Sequence, residues 1–206
     1  MNEMMAITLS FGISGVHGFP VKVEVFSANG LPGMELIGLP DASVRESKER
    51  VHAAIISSGR QMPPKRITVN LAPADTRKEG PSFDLPIAVG ILLANRQMQL
   101  AEGMALSQMV FFGELSLDGT LRPVNGALSM VISASENGYR DVILPAENAQ
   151  EVSCIDGMRI YPAHHLQEVI DHLEGRKQLT VQIQMSYEDL IRRAEFGNDL
   201  SQVKGQ

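Results

Sequence analysis

The chain has 206 residues, 44% hydrophobic and 20% charged, a size and balance that build a buried core without disulfides or metals. Its net charge of −6 excludes the strongly basic make-up of a generic nucleic-acid coat, and its single cysteine, Cys154, excludes a disulfide framework. The longest apolar stretch, Leu85 to Ala94, is too short to span a bilayer, and the opening MNEMMAITLSFG lacks the basic start and small-residue cleavage site of a secretory signal, so a cytoplasmic location is expected.

Ala6 to Ile13 and Val21 to Phe26 are rich in Val, Ile and Phe with partial alternation, which predicts strands. Asn29-Gly30 and Pro32-Gly33 punctuate them, and Met34 to Leu39 is a short third strand. Ser43-Val44-Arg45-Glu46 has the form of a capping box opening a helix that Gly59 closes. Pro63-Pro64 breaks the chain, Arg66 to Leu71 is a strand and Ala72 to Pro81 a polar loop. Leu85 to Ala94 predicts a buried helix, with Ser82 as its N-cap and Pro86 in its first turn. Met109 to Leu115 is a strand, and Asp118-Gly119 between Leu117 and Leu121 signals a hairpin turn. Then come a helix over Gly126 to Asn137, a strand over Asp141 to Leu144, a short helix from Pro145, a strand over Met158 to Tyr161 and a helix over His165 to Leu173. A last helix is expected over Tyr187 to Glu195, with a polar linker after Gly197. Strands and helices interleave throughout, so the class is α/β or α+β.

No G-x-x-x-x-G-K-[ST] phosphate loop and no G-x-S-x-G elbow occurs. Lys78-Glu79-Gly80-Pro81-Ser82 is a glycine-proline turn that delivers a serine to the start of a buried helix, where a hydroxyl becomes a nucleophile only beside a base. His165, Glu168 and His172 fall at i, i+3, i+7, a spacing that suits either a metal site or a solvated amphipathic face; the solvated face is the expectation here. Between Asp41 and Gly80 there are eight Lys/Arg and five Asp/Glu, a local excess of +3 on an acidic chain. Arg45, Lys48, Lys65, Arg66, Arg77 and Lys78 are therefore the candidate nucleic-acid contacts, with an ordinary solvated surface as the alternative.

The stretch from Pro73 to Ser82 resembles the serine motif of Lon-type proteases, and Gly113 to Gly126 and Val142 to Asn148 resemble the Lon segments that follow it, in the same order. That resemblance implies the Lon-like α/β fold, related to a domain of a ribosomal small-subunit protein. Lon proteases pair their serine with a lysine in the helix after the hairpin. Aligning Pro123-Val124-Asn125-Gly126 puts Leu128 at that position, so the resemblance implies a degenerate site at Ser82 and no catalytic residue; the alternative is a Ser82-dependent peptidase.

A closer resemblance covers essentially the whole chain from Ala6. Leu31-Pro32-Gly33, Ile37 to Asp41, Val44 to Arg50, Ile67 to Asp75 and Phe83 to Ala88 are similar to the magnesium-chelatase-like AAA+ proteins of the ComM/YifB family. It implies a Lon-like N-terminal domain over residues 1–175, an extension and linker over 176–198, and the start of a truncated AAA+ module over 199–206. It also implies a bacterial cytoplasmic homo-hexamer, with DNA as its partner in branch migration during natural transformation. ATP and Mg²⁺ would belong to the missing ATPase module, with no cofactor, metal or membrane partner for this chain. Nothing in the sequence resembles a porphyrin site. The remaining alternative is a metal- or small-molecule-binding domain around the His165 helix.

Overall fold

The computed structural model describes residues 4–186. The helix expected over Tyr187 to Glu195 and the linker and module start beyond it lie outside the described residues. In chain order the described residues form β1 (Met4–Ser14), β2 (His17–Ala28), β3 (Gly33–Ile37), α1 (Ala42–Ser57), β4 (Arg66–Ala72), α2 (Asp84–Ala94), β5 (Met109–Phe111), β6 (Glu114–Leu115), β7 (Leu121–Arg122), α3 (Ala127–Glu136), β8 (Asp141–Pro145), α4 (Ala149–Val152), β9 (Arg159–Ala163) and α5 (Leu166–Leu173). None of these helices is long and apolar enough to cross a membrane.

The architecture is the mixed α/β class expected. Seven strands form one sheet in the order β3-β4-β2-β1-β5-β8-β9. β1 and β2 pair antiparallel along their whole length, and β4 continues antiparallel on β2. The outer pairings β3–β4, β1–β5, β5–β8 and β8–β9 are parallel. Each face carries its own apolar cluster. Val23 and Val25 of β2 meet Ile55 of α1, Ile87 of α2 and, farther along, Val169 of α5 on one face. Phe11 of β1 and Val142 of β8 meet Val131 of α3 and Val152 of α4 on the other. The two clusters share the sheet between them, so neither is an independent core.

Helix α2 is buried on all sides, which is why its sequence is an unbroken apolar run rather than a stripe. It can lie this close to the sheet because position 90 is glycine: a Cβ there would meet Val25 Cγ2 at 2.6 Å. The Thr8 hydroxyl donates to the Pro86 carbonyl at 2.9 Å and fixes the helix along β1.

Three expected details differ. Helix α1 is capped by Asp41, whose Oδ1 accepts from Val44 N at 2.8 Å, and not by a Ser43–Glu46 box. β3 ends at Ile37 because Gly38 and Leu39 take positive φ, and a Cβ on Gly38 would sit 2.2 Å from the Leu71 carbonyl oxygen. The strand expected over Met109 to Leu115 splits after Phe111. Gly113 turns its N–H to the Ser82 carbonyl (2.9 Å) and its own carbonyl to Leu85 N (3.1 Å), leaving Glu114–Leu115 to pair with β7 around Asp118-Gly119.

Alanine in place of glycine inside a helix ordinarily stabilises by about 0.5–1 kcal/mol. Gly90→Ala is expected to do the opposite, because overpacking against Val25 costs about 1–3 kcal/mol. Urea unfolding measures the sign directly, and a gain in stability would contradict the close helix–sheet packing.

Candidate functional site

The best-built polar centre lies between α1, α2 and β6. Asp84 opens α2 and is fully buried. Its Oδ2 accepts from Arg50 Nε at 2.6 Å and from Leu115 N at 3.1 Å. Its Oδ1 accepts from Arg50 Nη2 at 3.1 Å and from the Ser47 hydroxyl. Arg50 also donates to the Ser43 carbonyl at 3.0 Å. Burial pushes the Asp84 carboxyl upward, and the hydrogen bonds from Arg50, Ser47 and Leu115 pull against it. Donors converging on both oxygens are the pattern of an ionised carboxylate. The hydrogen bond to Asp84 in turn raises the Arg50 guanidinium above its ordinary value.

Sequence reasoning did not single out Arg50, Asp84 or Ser47 as a unit. The available signal was Asp84 itself. A carboxylate heading an apolar run has to be paired, and only a cation elsewhere in the chain can pair it.

This clamp sets the position of the preceding Ser82 turn. Asp41 Oδ2 accepts from Gly80 N at 3.2 Å, while Lys78 and the Leu39–Asp41 segment exchange backbone bonds of 3.0 and 3.1 Å. Ser82 stands on a groove of about 350 Å³ shared with Glu79, Glu114, Asn125 and Met130. Among the described residues that line it there is no lysine and no histidine. The expected cap is not formed: neither the turn Pro81–Phe83 nor α2 takes a side-chain cap, so the Ser82 hydroxyl is not what holds the helix start. Leu128 also differs from expectation. It is 38% exposed, and the side chain α3 sends into the Ser82 groove is Met130. A thioether is a weak acceptor and no base, so the groove holds the Ser82 hydroxyl with neither the lysine nor a histidine that activates such a nucleophile.

The six candidate nucleic-acid contacts separate. Lys48 and Lys65 come together, with His52 and Glu49, on a groove of about 440 Å³ between α1 and the Met62–Lys65 turn. Arg45 lies one helical turn before Lys48 and is exposed. Arg66 is exposed at the start of β4 and pairs with Glu35 at 3.3 Å. Arg77 sits on the Ser82 loop and pairs with Glu79 at 3.4 Å. Lys78 cannot touch a phosphate. It is fully buried, and its Nζ donates to the carbonyls of Pro73 and, at 2.7 Å, Thr76. Burial lowers its pKa, and those two carbonyls replace the water it has lost.

The metal arrangement considered for the His165 helix is not assembled. His165 is the N-cap of α5: its Nδ1 accepts from Gln167 N at 3.0 Å while Nε2 meets the Asp118 carbonyl at 2.8 Å. Glu168 accepts from His164 N at 2.8 Å. His172 is buried, not solvated, and its Nδ1 accepts from Leu179 N at 3.1 Å. Among the described residues no group of His, Cys, Asp and Glu is placed to hold a metal ion.

Residues 23–148, which contain the clamp, the Ser82 turn and the Lys48–Lys65 groove, match the family described as subunit ChlI of Mg-chelatase. The chain is 43% identical to the YifB protein of Escherichia coli K12 over 192 residues, 93% of this chain and 36% of that protein. It is 38% identical to competence protein ComM of Haemophilus influenzae over 203 residues, 98% of this chain and 39% of that protein. It is also similar to Lon protease 2 of Bacillus subtilis, 29% identical over 151 residues, 70% of this chain and 26% of that protein. The chain thus spans about two fifths of the length of the first two of these curated relatives.

Two outcomes follow from the geometry. Asp84→Ala leaves Arg50 in a half-buried site without its partner and is expected to cost about 3–5 kcal/mol in denaturant unfolding. Ser82→Ala is expected to cost less than the about 1 kcal/mol of a lost helix cap, because Ser82 makes no cap hydrogen bond, and a serine-reactive probe should leave Ser82 unlabelled. The third concerns pH. Burial lowers the His172 pKa, with Asp141 opposing, so the folded state favours the neutral ring that accepts from Leu179. That contribution is complete above the unfolded pKa of about 6.5 and is lost as pH falls through the folded value. The protection factor of the Leu179 amide, corrected for the intrinsic pH dependence of exchange, should therefore fall on acidification, and unchanged protection down to pH values where His172 titrates would contradict it.

Proposed function

The chain belongs to the ChlI family of magnesium-chelatase subunits, and on that premise we propose that it is the non-catalytic N-terminal domain of a bacterial, ring-forming AAA+ ATPase of the ComM type. The domain would occupy residues 1–175, with 176–198 linking it to an ATPase module that begins near 199. ATP and Mg²⁺ would bind in that module and not in this chain. The full-length protein would be a cytoplasmic homo-hexamer acting in DNA branch migration during natural transformation. The single observation that carries this reading is the 38% identity to a competence protein over 98% of this chain. The name of the family does not extend to porphyrin chemistry here, because nothing in the sequence resembles a porphyrin site.

The domain's own part in this reading is positional. Support for a non-catalytic role comes from the Ser82 groove, which Glu79, Glu114 and Met130 also line and where no described lining residue is a lysine or histidine. Support for contact with DNA comes from the paired Lys48 and Lys65, flanked by Arg45 and Arg66. Arg77 is tied to Glu79 and contributes less. On a chain of net charge −6 such a surface attracts DNA only at short range and only through phosphates.

A titration of labelled duplex and branched DNA, with this chain and with the full-length protein, across salt concentrations, tests the proposal. Affinity should fall steeply with salt and depend little on sequence. The double substitution Lys48→Glu, Lys65→Glu should lower the salt slope by about 2, since each lysine removed from a phosphate reduces it by about 1, and Arg77→Glu should have the smaller effect. Binding by the full-length protein that ignores the double substitution would remove this domain from the DNA path. ATP turnover that tracks this chain through purification would overturn its non-catalytic role.

A further inference from the structure

Strands β2 and β3 are joined by Asn29-Gly30-Leu31-Pro32, a loop that has to cross the start of β4, because β4 lies between the two strands in the sheet. Both feet of the loop rest on the same residue: Ala28 pairs with Arg66 on one side and Gly33 pairs with Arg66 on the other. Gly33 N also donates to the Lys65 carbonyl at 3.2 Å. Gly30 passes so close that a Cβ on it would stand 3.4 Å from the Arg66 Cβ. Pro32 fixes its own φ and biases Leu31 toward an extended backbone. The tip of the loop is therefore held in a set position over Lys65 and Arg66.

At that tip Leu31 is 89% exposed, more than any other large hydrophobic side chain among the described residues. It belongs to neither apolar cluster of the sheet. An exposed leucine alone is ordinary; this one stands among cations. On one side Pro32 and Gly33 line the groove that holds Lys48 and Lys65. On the other, Leu31 itself lines a neighbouring groove of about 440 Å³ with Asn29 and Arg66. The loop is thus a ridge between two grooves, apolar at its tip and basic at its base.

We propose that Leu31 is a wedge that enters an opened base step of DNA held by the Lys48–Lys65 groove. This role rests on the DNA reading of that groove and specifies the form of DNA it takes. Phosphate contacts from Lys48, Lys65 and Arg66 position the backbone and read no bases. An apolar side chain set among them gains contact only where bases part, and in a continuous duplex the unstacking has to be offset first. At a branch point the stack is already weakened, so less has to be offset. The domain therefore favours branched DNA over continuous duplex. The loop carries no aromatic side chain, so it inserts at one step and does not stack along a single strand.

The test titrates this chain with a labelled junction of three duplex arms and with a continuous duplex of the same length and composition, across salt concentrations. A fluorescent adenine analogue at the branch point brightens when it unstacks. The junction should bind about tenfold more tightly than the duplex, and emission should rise on binding. Leu31→Ala removes no core packing, since the side chain is exposed. It should bring the junction down to the affinity of the duplex and abolish the emission change, with the salt slope, which counts phosphate contacts, kept. Leu31→Met keeps the apolar bulk and should retain the preference. Lys48→Glu combined with Lys65→Glu should weaken both DNAs together and lower the slope. A junction preference and emission change that persist in Leu31→Ala, or equal binding of both DNAs by the unmodified protein, would overturn the wedge and leave the DNA reading standing. Failure to bind either DNA at low salt would overturn both.

Discussion

The ion pair between Arg50 and Asp84 is the constraint from which the functional half of the molecule is built. A carboxylate at the head of an entirely buried helix is tolerable only if it is paired and hydrogen-bonded, because desolvation of the bare charge would cost several kcal/mol. Arg50 supplies the charge and Ser47 a further bond, both from α1, and the Leu115 amide adds one from β6. Satisfying one side chain therefore sets α1 against α2 and pins the start of the β6–β7 hairpin. The Ser82 turn and the Gly113 backbone bonds are positioned as a result, two residues upstream and two residues before Leu115 respectively. The interaction specifies geometry more than it adds net stability, since an apolar replacement of the whole pair could pack equally well.

The groove that this geometry produces holds the Ser82 hydroxyl without a lysine or histidine among its described lining residues. Its wall carries the Gly80-Pro81-Ser82 turn, and the side chain supplied by α3 is Met130. Nucleophilic serine chemistry requires that the hydroxyl proton have somewhere to go, and two nearby carboxylates raise rather than lower the cost of forming an alkoxide. The turn also serves the core, because Gly113 bonds the Ser82 carbonyl and the Leu85 amide and so ties the start of α2 to β6.

Much of the fold was legible in the sequence because it rests on local signals. The Val21-Val23-Val25 alternation, the apolar run of α2, the Asp118-Gly119 turn and the glycines closing α1 and α3 all act within a few residues, and the strands and helices they predict are present. Misreadings arose where a partner lies far away in sequence. Ser43 and Glu46 looked like a capping box, but Asp41 reaches both Val44 N and Gly80 N and wins the position through the second, long-range bond. Lys78 looked like a surface cation because nothing nearby announces that the loop folds its carbonyls around it. His172 looked solvated on spacing alone, yet the segment after α5 returns to cover it. At the candidate site, the residue types around the hairpin were readable, whereas the identity of the α3 side chain that lines the Ser82 groove depended on the rotation of that helix.

The topology also has a consequence for the order in which the chain assembles. β1 is a central strand, and the hairpin with β2 supplies only one of its two neighbours as soon as both have been made. The other neighbour, β5, begins at Met109, 95 residues after β1 ends at Ser14. At synthesis rates of about 5–20 residues per second, one edge of a strand bearing Leu9 and Phe11 stays open for roughly 5–20 seconds on the ribosome. During that interval α1, α2, β3 and β4 can already cover part of the first apolar face, because their own strand contacts precede residue 95, while Val169 and the rest of α5 follow later. The second face has no such early partner. Until β5 is made, the sheet is half finished, with a hydrophobic edge that only a three-residue strand will cover.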